Sequence, residues 1–421
     1  MGKDIWICNH HATNTMLLKS GRHHWLAKEL RKNGYNPTIF TASSKHYNEG
    51  IDLGNKLYME NESDGNRYVV VKTNNYNGNG FQRVKSMLVF ATNLVRTGKK
   101  YAKINGTPDV IIGSSVHPFT CVAAIKLARR FKCKCICEIR DLWPESIIAY
   151  KVSSPNSLGV KALYKLEKWI YTNADRLIFT MEGGKDYIIK QGWDKEDGGP
   201  VDLKKVFYVN NGVDLESYVE YKKTNTFEDE DLDDKEAYKI IYTGSLGDSD
   251  KSIWNLIEAA DLMNNDPDFE KCRILIYGKG DQEQKMKDLC KERELNNISF
   301  KGLVNRKFIP YVLSKCDLNI LNCDDCSIIE KYGGSQNKLS EYIASGHPII
   351  TGESGKYCIV ANYKIGMSVE DITPKRLCEA IKELKDMSSE QKEEMKKALD
   401  YATNEFSWKT LAGKVIDIIE N

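Results

Sequence analysis

The sequence predicts an α/β protein built as two Rossmann-like, doubly wound domains. Three observations predict it. The chain has 421 residues, beyond the roughly 250–300 at which a single core usually stops growing. Short apolar runs alternate with helical patterns from one end to the other, the mark of βα units on a parallel sheet. The alternation breaks once, in a charged stretch, and restarts with a strand that ends in Gly244-Ser245-Leu246-Gly247.

In the first half, Asp4–Cys8 predicts the opening strand. One helix is expected after it, with Leu18, Trp25, Leu26 and Leu30 on one stripe and Gly34 as its stop. Further strands are expected at Pro37–Phe40, Tyr68–Val71, Val110–Gly113, Cys133–Ile139, Arg176–Thr180 and Val206–Val209. Helical patterns at Phe119–Phe131 and Leu158–Thr172 lie between the later ones. Asn210–Asp214 reads as a turn cluster. Glu216–Glu236, rich in Lys, Glu and Asp, reads as a solvated, mobile loop. The second half predicts strands at Tyr238–Thr243, Arg273–Tyr277, Ile298–Lys301, Asp317–Leu321 and Ile349–Thr351. Helices are expected at Ile253–Met263, Glu390–Asn404 and Trp408–Ile419. The expected division is 1–213, 214–400, and a C-terminal helix in 401–421 that crosses back to the first domain.

Tyr332–Gly352 (YGGSQNKLSEYIASGHPIITG) carries the most chemistry. Gly333-Gly334 is a turn that lets backbone approach a ligand. Ser335 and Asn337 are the expected N-caps of the next helix. Leu339, Tyr342 and Ile343 follow at helical spacing, Gly346 is the stop and Pro348 prevents continuation. A glycine turn opening into a helix offers free N–H groups and the positive end of the dipole to an anion. Lys338 in the first turn gains nothing from that dipole, which an anionic ligand in front of it explains. Glu341, one turn beyond Asn337, suits a carboxylate that accepts from a sugar diol.

Composition excludes several classes. A formal charge of +2 argues against binding nucleic acid through bulk charge. No apolar run reaches the roughly 18 residues that span a bilayer, and the N-terminus enters a strand without a signal-peptide h-region. The 12 cysteines are scattered. Cys133, Cys135 and Cys137 alternate on one strand face, and Cys323–Cys326 is a lone C-x-x-C without a second pair at metal spacing. Buried thiols in a reducing cytosol are the expected reading, and no metal is expected. Phe81–Ile104 carries Arg83, Lys85, Arg96, Lys99, Lys100 and Lys103 with no acidic residue, interleaved with Met87, Leu88, Val89, Phe90, Leu94 and Val95. Such a basic amphipathic helix suits an anionic membrane surface, or packs on its own sheet with its charges in water.

Placed on two Rossmann-like halves, these motifs resemble the retaining GT-B glycosyltransferases of family 4, in the bacterial branch that builds lipopolysaccharide, capsule or related glycans. Glu341–Pro348 resembles the family's E-A-M-A-x-G-x-P segment, whose glutamate binds ribose hydroxyls. Asn211-Gly212-Val213-Asp214 matches its N-G-V-D segment. Gly244 and Lys251 fall where the family has G-R…K-G, and Gly278-Lys279-Gly280 is similar to its G-x-G turn. Gly21-Arg22 resembles its N-terminal glycine loop near the donor phosphates. Arg140-Asp141-Leu142-Trp143-Pro144-Glu145-Ser146 is similar to the R-D-L-W-P-E-S run of one sub-branch. It follows a strand's carboxyl end, where open α/β sheets bind ligands. The chain departs at Gly333, where the family often has a second glutamate. It departs again at Ser245, where an arginine usually meets the diphosphate, and Arg140 stands in place of a histidine.

The resemblance implies two domains facing each other across a cleft and a metal-independent transfer from a nucleotide-sugar, expected to be a UDP-sugar. The sugar is expected to be an N-acetylhexosamine or a deoxy relative. The acceptor is a lipid-linked or other saccharide, met in the cytoplasm at the inner membrane face. It assigns the donor to Gly21, Gly244, Lys251, Gly278, Ser335, Asn337, Lys338, Leu339 and Glu341. Asp141, Lys251 and Arg140 are the expected catalytic groups, and His117, Arg140, Asp141 and Glu145 the acceptor side. A nucleotide-sugar epimerase on the same fold, and a non-catalytic partner protein of that fold, are the alternatives. A dinucleotide dehydrogenase fits poorly, because Cys8-Asn9-His10-His11 replaces any G-x-G-x-x-G after the first strand.

Overall fold

The computed structural model describes residues 2–44, 50–76, 78, 80–149, 153–247, 251–322 and 331–421, with the side chains of 251 and 252 excepted. The Cys323–Cys326 pair lies outside the described residues. The chain divides into two compact units, residues 1–210 with 411–421, and residues 211–410.

The first unit is built on an eight-stranded sheet. Its strands are β1 (Asp4–Cys8), β2 (Asn36–Ala42), β3 (Tyr58–Ser63), β4 (Asn66–Val71), β5 (Val110–Ser114), β6 (Lys134–Ile139), β7 (Arg176–Phe179) and β8 (Val206–Tyr208). They run in the order β3-β4-β2-β1-β5-β6-β7-β8, parallel except for β3, which is antiparallel to β4. Ile5, Trp6, Ile7 and Cys8 of β1 are all buried, as in a strand covered on both faces. Gly113 of β5 has a packing reason. A Cβ there would stand 2.6 Å from the Ala124 Cβ, so glycine lets the helix α4 (Pro118–Phe131) sit close on the sheet.

The expected first helix is two helices, α1 (Ala12–Leu18) and α2 (Arg22–Lys32). Lys19 is left-handed and Gly21 has φ +104°, which breaks the helical path. Leu18 is therefore exposed rather than part of the buried stripe. The basic segment forms α3 (Phe81–Asn105). Its Met87, Phe90, Leu94 and Tyr101 are buried, while Phe81, Val84, Leu88 and Ile104 are exposed among its lysines.

The second unit holds six parallel strands in the order β11-β10-β9-β12-β13-β14. These are β9 (Tyr238–Ser245), β10 (Cys272–Lys279), β11 (Ile298–Gly302), β12 (Leu318–Ile320), β13 (Ile349–Thr351) and β14 (Gly366–Ser368). The charged run expected as a mobile loop is instead ordered. Asp214 caps a helix at Leu215–Thr224 by accepting from the Ser217 N–H. Asp229 caps a second turn at Glu230–Asp233, and Lys301 pairs with Asp229 and Asp231 at 2.7 and 2.6 Å. The described cysteines are all free thiols, most of them buried.

A buried ionic network joins the carboxyl ends of the first unit's strands. Arg22 donates from Nε and Nη2 to Glu138 Oε1 at 2.9 and 2.6 Å, and to the Asn210 and Val209 carbonyls at 2.7 and 3.0 Å. Ser114 Oγ donates to Glu138 Oε2 at 2.6 Å and lies 2.9 Å from His23 Nε2. Burial alone would raise the Glu138 carboxyl, but the Arg22 charge and the His23 contact hold it well below the usual range. Removing one partner of such a pair leaves a buried charge, so Arg22→Ala is expected to destabilise the first unit by about 3–5 kcal/mol in urea titrations. Arg22 is thus spent inside the fold and does not extend toward a ligand.

Candidate functional site

In the second unit an open pocket of about 450 Å³ lies at the carboxyl end of β9. That is the size of an ordinary small-molecule site, at the sheet end where α/β folds bind ligands. Tyr242, Thr243, Gly244 and Ser245 form one wall, and Gln336, Asn337, Lys338 and Glu341 form the other, with Arg306 between them. The second wall is the start of the helix Asn337–Ser345.

That helix begins differently from the sequence expectation. Gln336, not Ser335 or Asn337, is the N-cap, and it makes no side-chain cap bond. Its amide instead donates to Glu353 Oε1. Ser335 and Asn337 are tied down from elsewhere, since Asn211 Nδ2 donates to the Ser335 carbonyl at 2.6 Å and to Asn337 Oδ1 at 3.1 Å. The N-G-V-D segment thus holds the helix entrance. Gly346 ends the helix in the left-handed region at φ +77°, as expected.

Four of the expected donor residues meet in this pocket: Gly244, Asn337, Lys338 and Glu341. Lys338 Nζ lies 4.2 Å from the centre of the Tyr242 ring, a cation–π contact. Glu341 Oε1 accepts from Arg306 Nε at 3.1 Å and Nη2 at 2.8 Å. Ser245 lines the same wall and brings no charge. Leu339 is corrected to a core residue. Its side chain is 5% exposed among Tyr342, Ile343 and Ile349, and its N–H donates to the Gln336 carbonyl. Gly278 stands outside the lining, opposite Gly244 in the ladder, where a Cβ would come 1.8 Å from the Gly244 carbonyl oxygen. Lys251 opens the helix Lys251–Asn264, and its side chain lies outside the described residues. Gly21 belongs to the first unit, between α1 and α2.

The acceptor-side residues cluster at the carboxyl ends of β5 and β6 in the first unit. Arg140 follows β6 directly; its N–H donates to Ser115 Oγ at 3.0 Å and its carbonyl accepts from Thr180 Oγ1 at 3.3 Å. Its Nε is buried with no hydrogen-bond partner among the described residues. Asp141 is exposed by area, yet the protein around its carboxyl raises the pKa, with Arg140 and Arg83 opposing. Glu145 is occupied, accepting from Tyr164 at 2.8 Å and Gln191 at 3.3 Å, so it ties helices together rather than presenting a free carboxylate. His117 is buried, its Nε2 lies 3.2 Å from His10 Nδ1, and burial pushes its pKa down to about 3. His10 is lowered in the same way, so the pair is neutral near pH 7.

Arg306, Tyr242 and Gln336 were not singled out from the sequence, and Tyr342 was read there only as part of the helix's buried face. Arg306 reaches the site across 35 residues of chain. Tyr342 lies next to Glu341 in a motif and reads as an ordinary core position, yet its hydroxyl accepts from the Thr243 N–H at 2.7 Å.

Beside Asp141, a narrow apolar slot is lined by Pro118, Cys121, Trp143 and Pro144, with Glu167 among its walls. Glu167 is buried and accepts from Tyr171 at 2.6 Å and Tyr187 at 2.5 Å. Desolvation raises its pKa from the ordinary 4.5 to about 7 against those two bonds. A raised folded pKa means this group's favourable contribution is complete below about pH 4.5 and is lost as pH rises through about 7. Glu167→Gln, which has no charge to bury, is therefore expected to gain stability relative to the parent between pH 5 and pH 8. The gain is about 2–3 kcal/mol in paired denaturant titrations.

Comparisons with known proteins agree with this geometry. Residues 24–217 match the family profile "Glycosyltransferase Family 4", and residues 223–403 match "Glycosyl transferases group 1". No curated protein matches the sequence. Among solved structures, the chain is similar to a UDP-forming α,α-trehalose-phosphate synthase from Burkholderia xenovorans, with TM-score 0.70 and 12% identity over 100% of this chain and 99% of that one. It is similar to HepE from Anabaena, solved with UDP and glucose, with TM-score 0.58 and 11% identity over 99% of each chain. WaaG, a glycosyltransferase involved in lipopolysaccharide biosynthesis, is similar with TM-score 0.61 and 12% identity over 99% of each chain. At such identities the likeness speaks for the fold.

Proposed function

The chain belongs to the GT-B glycosyltransferases of the family-4 kind, and on that premise we propose that it transfers a hexosyl group from a UDP-sugar to a lipid-linked or saccharide acceptor, with retention at the anomeric carbon, in the synthesis of a cell-surface glycan. The observation that carries the reading is the second unit's pocket. There a helix start, Lys338 and Glu341 stand together at a strand's carboxyl end. UDP as the nucleotude is supported by neighbours of this fold that hold UDP or form it. WaaG supports a surface-glycan role.

In this reading Glu341 accepts from the ribose diol. Asn337 and Ser335 hold the backbone that meets the diphosphate, and Gly244 lets the ligand approach β9. When the anomeric C–O bond breaks, charge builds on the leaving diphosphate. Lys338, Lys251 and the helix N-terminus oppose that charge. One well-placed donor of this kind is worth about 2.7–4 kcal/mol of barrier. The departing phosphate takes the acceptor's proton on the same face, so the acceptor needs orientation more than a strong base. Asp141 orients it, with Arg140 beside it. His117, neutral and buried against His10, is not a cation for the acceptor.

The expected outcome with purified protein is thermal stabilisation by UDP, about 2.7 kcal/mol at 100 times Kd. GDP, ADP and CMP are expected to give less. Glu341→Ala is expected to lose that shift and sugar transfer while melting normally without ligand. Full transfer by that variant would overturn the site assignment.

We place the acceptor at the cytoplasmic face of the membrane. No described helix is long and apolar enough to cross a bilayer. The outward face of α3 presents Phe81, Val84 and Leu88 beside Lys85, Arg96, Lys99 and Lys103, a composition that suits an anionic interface. Replacing those four cations by Gln is expected to abolish flotation with phosphatidylglycerol vesicles. Unchanged flotation would remove α3 from the reading.

A further inference from the structure

We infer that Arg306 is a positioning residue for nucleotide binding: it neutralises Glu341 and presents that carboxylate to the donor's ribose. The inference rests on the reading of the second unit's pocket as a nucleoside diphosphate site.

Arg306 opens the turn Arg306–Phe308, which Asn305 caps by accepting from the Lys307 N–H at 3.1 Å. The cap fixes the backbone from which the guanidinium reaches Glu341. Both of its bonds, 3.1 Å from Nε and 2.8 Å from Nη2, fall on one carboxylate oxygen, Oε1. Oε2 is left to accept from a hydroxyl. Glu341 is held at one side while its other oxygen stays available, which fits a diol partner.

Charge explains why the pairing matters here. A nucleoside diphosphate brings at least two negative charges into the pocket that contains Glu341. An unneutralised carboxylate there would oppose the ligand. Lys338 is drawn over the Tyr242 ring, and Ser245 adds no charge. Arg306 is the lining residue in contact with the carboxylate. Its side chain is 49% exposed and that of Glu341 19%, so the pair is a wall of the pocket rather than part of the core. The pair alone would add little to stability, because exposed ion pairs are weak. Its consequence lies in what Glu341 offers to a ligand.

The test is calorimetric binding of UDP and uridine to the full chain in parent, Arg306→Ala, Arg306→Lys, Glu341→Gln and the Arg306→Ala/Glu341→Gln double variant. Arg306→Ala is expected to melt within a degree or two of the parent and to weaken UDP about tenfold, the scale of a charge-assisted contact. Uridine, which has no phosphate, is expected to lose less. Arg306→Lys keeps the charge and is expected to recover most of the UDP affinity. In the Glu341→Gln background, removing Arg306 is expected to change UDP affinity less than twofold. Unchanged UDP affinity in Arg306→Ala, or the same loss with and without Glu341, would overturn the role. Failure of the parent to bind UDP would overturn the pocket reading and this inference together, whereas parent binding with an indifferent Arg306 overturns the inference alone.

Discussion

The Tyr342 hydroxyl, buried beneath the carboxyl end of β9, accepts from the Thr243 N–H at 2.7 Å and lies 3.0 Å from Thr243 Oγ1. The need for it follows from strand length. Among the described residues β12 pairs with β9 through Leu318 and Asn319, opposite Ile240 and Ile241. Beyond Ile241 that edge has no ladder partner among the described residues, and a buried N–H left unpaired costs about 1–3 kcal/mol. A tyrosine from the helix Asn337–Ser345 fills the vacancy. In doing so it fixes the helix against β9, with Glu341 one residue before it and Lys338 one turn before it. The same contact thus fixes two walls of the pocket relative to each other. Asn211 secures the helix entrance through the Ser335 carbonyl and Asn337.

The first unit meets the same problem with charge. Where β5, β6 and β8 end, Arg22, His23, Ser114 and Glu138 meet in one network. Glu138 receives Arg22 and Ser114, while Arg22 also satisfies two carbonyls. A carboxylate and a guanidinium placed there singly would each be too costly to bury. Together they leave Asp141 as a carboxylate of this strand-end cluster that the ionic network does not consume. Glu145 is bound to Tyr164 and Gln191, and Glu167 to two tyrosines. The sequence put Asp141 ahead of Glu145 because it directly follows a strand; the hydrogen bonds of Glu145 to Tyr164 and Gln191 separate the two on different grounds.

What was legible in the sequence follows from burial. Strands such as β1, β5 and β10 are covered on both faces and so read as apolar runs. β3 has no buried residue along its length, and β14 is three partly buried residues, so neither left an apolar signal. The helix Leu215–Thr224 buries only Tyr218, which is why its charges read as a loop. The signal that existed was Asp214 three residues before Ser217, a cap whose helix lacked a hydrophobic stripe. The break between α1 and α2 was available in Ser20-Gly21, but the apolar spacing ran across it. At the pocket, motif residues on one helix were legible, and Arg306 was not. Its partner lies 35 residues away, and nothing local in Asn305-Arg306-Lys307 points toward a carboxylate.

The two departures from the family pattern then acquire a common electrostatic sense. Ser245 removes a cation from the β9 wall, and Gly333 stands where a second carboxylate would often be. A pocket that lost only the arginine would carry two carboxylates against a diphosphate. A pocket that lost only the glutamate would keep a surplus of positive charge. Losing both leaves Glu341 as the carboxylate in the lining, and Arg306 is in contact with it. Lys338 and the helix start share that lining with the paired carboxylate, and a helix N-terminus favours negative charge in front of it. The change at Gly333 also removes a side chain at φ +82°, a conformation that glycine adopts without strain and glutamate does not. The turn geometry and the charge balance of the lining therefore both suit glycine at position 333.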